Sequence, residues 1–173
     1  DREAIRELVR SFADKEVGFA TGFTKYASDE GLIGSISLYA GIEKITKKLE
    51  SKISSCVGAD GAIFAIRKSL YKPLNDYDIN DLVIPLNVIK QGYRGRFEER
   101  AFCTEKAVGS KGEFNRQVRI TNRTLRAIFS NRSMLNPFKF KFFSFELLSH
   151  KICRFLAPFF MMTILITNLI LAL

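Results

Sequence analysis

The chain has 173 residues, of which 47% are hydrophobic, and this content excludes a disordered polymer and allows one compact domain. Lysine and arginine outnumber aspartate and glutamate by 27 to 18, and much of the surplus lies between residues 94 and 132. The charge predicts an anionic partner: nucleic acid, lipid headgroups or the diphosphate of a nucleotide sugar. Cys56, Cys103 and Cys153 are spaced for neither a disulfide framework nor a zinc site, which favours a reducing cytosol.

The first part of the chain alternates between helical and strand patterns. Apolar residues recur at helical spacing over residues 5–12, and the glycine-bounded run EVGFATG that follows predicts a strand. A second helical period over residues 32–53 predicts a long core helix. The segment CVGADGAIFAI then predicts a turn at residues 58–61 and a buried strand over residues 62–66. The alternation favours an α/β layer fold over a helix bundle.

The next segment predicts one helix and two short strands. Either Asp78 or Asn80 is expected to cap a helix that runs to Lys90, and Gly92 is expected to stop it. Residues 94–97 and 101–104 have the composition of short strands.

A basic stripe marks the helix predicted over residues 113–131. Its four arginines follow spacings of three, four and three residues, which places them on one face: Arg116, Arg119, Arg123 and Arg126. The opposite face is expected to carry Phe114, Val118, Leu125 and Ile128. Adjacent guanidinium groups repel one another, and their planar forks suit phosphate oxygens, so the stripe predicts an anion nearby. A solvated face lying on anionic lipid explains the same pattern equally well.

Three aspartates are candidate polar site residues. Asp78 and Asp81 lie one turn apart at a predicted helix start, where an ionised carboxylate is stabilised and could accept a proton from a hydroxyl group. Capping is the more common role at such a position, and Asp60 in the sequence GADG has the ordinary role of a turn residue. The sequence contains no Walker loop, no GxGxxG and no hydrolase-type pair of nucleophile and base, so ATP hydrolysis, hydride transfer and hydrolysis lack support.

The C-terminal segment predicts a membrane helix. Residues 155–173 contain no charge, and at ~1.5 Å per residue they cover about 28 Å, close to the thickness of a hydrocarbon core. A buried core helix is the alternative. The preceding segment mixes phenylalanines with Lys139, Lys141, Lys151 and Arg154, which predicts an interfacial segment on the cytoplasmic side, and the lone His150 fits that zone. The N-terminus does not resemble a cleavable signal, and the chain is expected to continue at both ends.

The order of these motifs resembles that of the membrane-integrated family 2 glycosyltransferases, the group of the cellulose, chitin and hyaluronan synthases. The resemblance spans nearly the whole chain. It rests on DREAIRELVRSFADKEVGFATG, on GADGAIFAIRKSLY, on DINDLVIPLNVIKQGYR at the position of the TED or DD signature, on RQVRI at the position of QxxRW, and on FSFELLSHKICRFLAPFF at the interface and first membrane helix.

The resemblance implies the fold and the roles of named residues. The fold implied is the C-terminal part of a GT-A (Rossmann-like) domain in residues 1–111, then interface helices in 112–154 and a transmembrane helix in 155–173. Asp81 takes the position of the catalytic base, with Asn80 in place of the usual acidic neighbour. Arg119 matches the motif arginine near the donor diphosphate, while Arg116 and Ile120 replace Gln and Trp. The implied substrate-binding residues are Gly58, Asp60, Arg116, Gln117 and Arg119.

The function implied is inverting transfer of a sugar from a nucleotide-diphosphate sugar to a growing glycan or lipid-linked acceptor. The implied enzyme is a multi-pass protein of the cell membrane with a cytoplasmic catalytic domain, and its divalent cation, Mg²⁺ or Mn²⁺, is expected on a DxD motif upstream of residue 1. This stretch alone is expected to be inactive. The chain contains no tryptophan, which argues against a cellulose-like or hyaluronan-like product because a large sugar-stacking surface is missing.

Two other functions compete with this one. A catalytically inactive, membrane-anchored scaffold would explain the departures from the family motifs. A nucleic-acid-binding protein is suggested by charge alone, and the uncharged C-terminal segment argues against it. The partners expected are therefore the sugar donor, the acceptor and membrane lipids, with no nucleic acid.

Overall fold

The computed structural model describes residues 3–27, 33–106 and 110–172. It divides the chain into two compact units, Asp1–Arg132 and Ser133–Leu173. The first unit combines helices with a small mixed sheet, and the second is helical. The predicted α/β class is therefore confirmed, while the finer GT-A assignment stays a prediction.

A three-stranded sheet forms the centre of the first unit, in the order β2–β1–β3. Strand β1 (Val17–Ala27) lies in the middle, antiparallel to β2 (Phe64–Ile66) and parallel to β3 (Arg94–Lys106). The two short strands predicted after residue 94 are one strand, whose register against β1 shifts between Thr21 and Phe23. The prediction of two strands was wrong because this irregularity interrupts the pattern without ending the strand.

Helices cover the sheet, and all four helices predicted for this unit are present. They are α1 (Ala4–Arg10), α2 (Ile33–Ile53), α3 (Asn80–Lys90) and α4 (Ser110–Ser130). Short 3-10 helices occupy Ser11–Ala13 and Lys68–Leu70. Phe19 of β1 packs with Val88 of α3 and with Leu70 and Phe97, while Ala20 packs with Ala4 and Leu8 of α1. Both clusters centre on β1, as expected for a strand in the middle of a sheet.

Helix α2 forms as predicted, but the prediction that it is a core helix was wrong. Its aliphatic residues Ile42, Ile45, Leu49 and Ile53 are 52–60% exposed. The buried side is polar because β3 is an edge strand whose backbone groups need partners. Ser51 and Ser55, the latter just beyond the helix, supply them: their Oγ atoms accept hydrogen bonds from the N–H groups of Phe97 (2.9 Å) and Gly95 (2.7 Å).

The start of α3 also differs from its prediction. The N-cap residue is Ile79, and its side chain makes no capping hydrogen bond. Asp78 instead accepts hydrogen bonds from the backbone and side chain of Asn75, and Asn80 Oδ1 accepts one from the N–H of Asp81. The predicted stop is confirmed, since Gly92 has φ +87° and donates to the carbonyl of Ile89 at 2.9 Å.

The second unit consists of short helices followed by a long apolar one. They are α5 (Pro137–Phe140), α6 (Phe142–Leu147) and α7 (Cys153–Leu171), with a π-helical turn at Leu148–Ile152. Asn136 caps α5 by accepting from the N–H of Phe138 at 3.0 Å. Phe143, Leu147 and Met134 are buried, while Phe138 is 96% exposed.

One helix among the described residues is long and apolar enough to cross a membrane, and it runs over Phe142–Leu171. Its most apolar window is not buried within the protein. The hydroxyls of Thr163 and Thr167 donate to carbonyls one turn earlier, Phe159 and Thr163, both at 2.9 Å. These bonds satisfy the two hydroxyl groups within the helix itself, as a hydrocarbon environment requires. Length and composition thus support association with a membrane, and the orientation stays a prediction.

Candidate functional site

A cleft of about 640 Å³ opens in the first unit where six segments meet. These segments are the ends of β1 and β3, the middle of α2, the turn after residue 58, the start of α3 and the first half of α4. The cleft is lined by Thr24, Glu43, Lys47, Ala59, Asp60, Gly61, Ala62, Asp78, Ile79, Asn80, Asp81, Glu105, Arg116, Arg119, Ile120 and Arg123. It therefore combines carboxylates and guanidinium groups in one cavity.

Asp60 is fixed against β1 by hydrogen bonds to both of its carboxylate oxygens. Oδ2 accepts from the N–H of Thr24 (2.9 Å), and Oδ1 accepts from Thr24 Oγ1 (2.8 Å) and from the N–H of Ala62 (3.1 Å). The N–H of Asp60 donates in turn to Thr21 Oγ1 at 2.7 Å. These four bonds give Asp60 the turn role that the sequence predicted. They also fix the position of residues 59–62, which line the cleft and are called the cleft floor below. The predicted contact with substrate stays a prediction.

Asp81 lies in the first turn of helix α3. Its backbone is bonded to the chain turn that carries Asp60. Its carbonyl accepts a hydrogen bond from the N–H of Ala59 at 2.7 Å. Within a regular helix this carbonyl would be paired with the N–H of residue 85, but residue 85 is proline and has none. Pro85 therefore leaves the carbonyl of Asp81 available to Ala59. The proline couples α3 to the turn that carries Asp60.

A glycine gives room to the Asp81 carboxylate. A Cβ atom built on Gly61 would lie 3.3 Å from Asp81 Oδ2, closer than most such contacts in proteins. Gly61 is exposed, and it lines the cleft together with Asp81. The carboxylate thus faces the cleft across a residue that has no side chain.

The arginine stripe on α4 divides between two surroundings. Arg116, Arg119 and Arg123 line the cleft, and Arg123 Nη2 also donates to the carbonyl of Asp76 at 3.4 Å. The guanidinium carbon of Arg126 lies 3.5 Å from the ring centroid of Tyr77, a cation–π contact. Three of the four arginines predicted to share one face therefore face the cleft, and the fourth packs against the loop before α3.

The opposite side of α4 is buried only near its C-terminal end. Phe114 and Val118 are 70% and 45% exposed, whereas Ala127 and Ile128 are 3% and 4% exposed. Lys90 of α3 donates to Asn131 at 2.5 Å, just after the end of α4. The predicted apolar face is thus buried at Ile128, whereas Phe114 and Val118 are exposed.

Two other residues assigned to binding by the sequence lie outside the cleft lining. Gly58 is buried, and Gln117 is exposed on α4. Conversely, the sequence did not predict Glu43 and Lys47 of α2 or Glu105 of β3 as site residues. Glu43 and Lys47 form an ion pair at 3.4 Å and four residues apart, a spacing that the sequence displays.

Ion pairs attach the α2 wall of the site to the sheet. Glu99 of β3 contacts Lys48 at 2.6 Å and Lys44 at 3.0 Å. The hydrogen bond from Lys48, followed by the one from Lys44, lowers the pKa of Glu99 from 4.5 to about 2. Lys44 and Lys48 are next in sequence to Glu43 and Lys47, the two α2 residues that line the cleft. The pairs therefore help to fix that wall of the cleft.

The charges in the cleft are separated by element. Within the described lining, α4 contributes only arginines among its ionised residues, while the turn and the start of α3 contribute Asp60, Asp78 and Asp81. Such an arrangement can bind an anionic group at one side and accept a proton at the other. Among residues 3–27, 33–106 and 110–172, no group of three or more His, Cys, Asp or Glu could hold a metal ion.

No family model matches the chain, and no curated protein matches it. The glycosyltransferase resemblance therefore stays a prediction that depends on the quoted motifs.

Proposed function

We propose that this chain forms the acceptor-side part of an inverting glycosyltransferase of the membrane-integrated family 2 type, with the GT-A fold. The observation that supports the proposal is that Asp81 and the arginines Arg116, Arg119 and Arg123 line one cleft. The family resemblance implies proton abstraction by Asp81 and a diphosphate contact by Arg119, although the two are 38 positions apart in the sequence. A shared cleft is what those two roles require.

The reaction we propose is a single displacement. The Asp81 carboxylate takes the proton of an acceptor hydroxyl as its oxygen bonds to the anomeric carbon of the donor. The bond from that carbon to the diphosphate breaks at the same time, so the configuration inverts. Arg119 and Arg116 offset the negative charge that develops on the departing diphosphate. The cleft contributes by holding the acceptor oxygen, the anomeric carbon and the departing diphosphate in line.

The proposed setting is the cytoplasmic face of the cell membrane. The donor is a nucleotide-diphosphate sugar, and the acceptor is a growing glycan or a lipid-linked molecule. The apolar helix over Phe142–Leu171 supports placement at a membrane. The Mg²⁺ or Mn²⁺ ion is proposed to bind upstream of residue 1, as the family resemblance implies.

The test is Asp81→Asn in the full-length protein, assayed in membranes with a panel of nucleotide-diphosphate sugars. We expect sugar transfer to fall by about 10²–10⁴-fold, the usual contribution of a general base, while donor binding changes little. Asp76→Asn is the matched control, because its side chain is exposed and only its backbone carbonyl contacts Arg123. That control should retain wild-type transfer.

A second variant separates the two proposed roles. Arg119→Ala should weaken binding of the nucleoside diphosphate, whereas Arg132→Ala, exposed just after α4, should not. Wild-type turnover by Asp81→Asn would remove Asp81 from the mechanism. A wild-type protein that binds nucleotide sugars without transferring them would favour the inactive scaffold instead.

A further inference from the structure

The exposed side of α2 has an unusual composition. Within residues 40–53, where the structure describes the helix side chains, seven residues are exposed: Gly41, Ile42, Ile45, Lys48, Leu49, Lys52 and Ile53. The set contains four branched aliphatic residues and two lysines, and no acidic residue. We call these seven residues the α2 outer face.

Both acidic residues of this part of the helix point elsewhere. Glu43 lines the cleft and pairs with Lys47. Glu50 is 4% exposed, and its Oε2 accepts a hydrogen bond from the N–H of Val57 at 3.1 Å. The α2 outer face is therefore apolar, with Lys48 and Lys52 one turn apart along one flank. Lys44 and Lys48 share the single carboxylate of Glu99, which leaves one net positive charge there, and Lys52 adds another.

The helix cannot rotate to bury these aliphatic residues without losing specific bonds. The helix holds the edge of β3 through Ser51 Oγ, which accepts from the N–H of Phe97, and through the pairs that Lys44 and the flanking Lys48 make with Glu99. Arg94 Nη2 adds a bond to the carbonyl of Ser51 at 2.7 Å. The outer face is thus a fixed surface of the first unit.

We propose that the α2 outer face docks on an anionic lipid surface. Branched aliphatic residues flanked by lysines, with no carboxylate among them, have the composition of helices that lie at the boundary of headgroups and acyl chains. Lys52, together with the net positive charge that Lys44 and Lys48 keep around Glu99, is complementary to anionic headgroups. A second copy of the chain fits less well, because a symmetric contact would bring together two surfaces of net positive charge, in each of which Glu99 balances only one of Lys44 and Lys48.

This docking is independent of sugar transfer. The same chain carries a helix that is long and apolar enough to cross a membrane, so the proposed surface belongs to a molecule with its own means of reaching a bilayer. Unlike that helix, the outer face can contribute only an adjustable attachment that depends on the lipid charge.

The chain has no tryptophan, so a single introduced one reports its surroundings directly. The test reconstitutes the full chain carrying Leu49→Trp into vesicles of phosphatidylcholine, with or without phosphatidylglycerol, that contain lipids brominated on their acyl chains. Tyr71→Trp is the matched control, because Leu49 and Tyr71 are both 52% exposed and Tyr71 lies outside the α2 outer face. Emission wavelength and quenching are measured for each variant, and far-UV circular dichroism checks that both retain the wild-type helix content.

In anionic vesicles we expect Leu49→Trp to emit at shorter wavelength and to be quenched at least ~2-fold more than Tyr71→Trp. The excess quenching should fall in pure phosphatidylcholine and when Lys52→Glu is added. Equal quenching of the two tryptophans overturns the proposal. A blue shift that follows protein density, without quenching by brominated chains, overturns it in favour of a second copy. If Leu49→Trp alters the helix content, Ile45→Trp tests the same face.

Discussion

Replacing Asp60 with asparagine tests whether the cleft floor depends on its carboxylate. The carboxylate accepts hydrogen bonds from the N–H groups of Thr24 and Ala62, one at each oxygen. An asparagine has one acceptor oxygen, so either orientation of its amide directs an NH₂ group at one of these backbone donors. The hydroxyl of Thr24 can accept from the new NH₂ group instead of donating to an oxygen, but a backbone N–H can only donate. Asp60→Asn therefore loses at least one charge-assisted hydrogen bond.

Such a bond contributes about 1.5–3 kcal/mol, so the free energy of unfolding should fall by about that amount. For a chain of this length the midpoint of thermal unfolding should fall by roughly 3–12 °C. The assay is thermal unfolding of the purified chain in detergent, followed by circular dichroism. Asp76→Asn, which removes one exposed charge, should change stability by no more than about 0.5 kcal/mol. If Asp60→Asn unfolds at the wild-type midpoint, the hydrogen bonds of Asp60 do not hold the turn.

Four further predictions concern the ion pairs, the sheet, α2 and α3. The pKa of Glu99 is about 2 in the folded protein against an ordinary 4.5, so its carboxylate should stabilise the fold above pH 4.5 and lose that effect as the pH falls toward 2. In Glu99→Gln, the stability measured by unfolding should no longer show this fall between pH 4.5 and pH 2. A Cβ on Gly18 would lie 2.7 Å from that of Tyr93, so Gly18→Ala should destabilise by about 1–3 kcal/mol in chemical denaturation. Gly41→Ala, with open space around its Cβ, should be neutral or stabilising by up to ~1 kcal/mol in the same assay. Pro85→Ala supplies an N–H that competes with the N–H of Ala59 for the carbonyl of Asp81, so hydrogen exchange at the Ala59 amide should become faster. Unchanged exchange would contradict the role of Pro85 in joining α3 to the turn that carries Asp60.

The sequence predicted elements better than it predicted what they face. The apolar period of α2 is real, yet its aliphatic side is exposed, because periodicity identifies a face without identifying its partner. The partner of the polar side is the β3 edge, and the bonds from Ser51 and Ser55 to it span more than 35 residues of chain. No local pattern contains that information.

The same limit applies to α3 and to the cleft. Asp78 and Asn80 are types of residue that commonly cap helices, but both form other local hydrogen bonds. The start of α3 is instead joined to a distant segment by the hydrogen bond from the N–H of Ala59 to the carbonyl that Pro85 leaves available. Asp81 and Arg119 were expected to converge because of the family resemblance, while Glu43 and Lys47 could enter the site only once α2 was placed. Contributions from distant segments were the ones that sequence reasoning missed.

The parallel pairing of β1 with β3 has a consequence for synthesis on the ribosome. Val17 lies opposite Arg94, so the central strand lacks its longest neighbour until that later segment has been made. Until then, Ser51 and Ser55 have no strand edge to bind, and the segments that form the cleft cannot meet. Pairings between such distant segments form slowly. We therefore expect nascent chains that end before β3 to depend on chaperones, and the cleft to be among the last parts of the first unit to form.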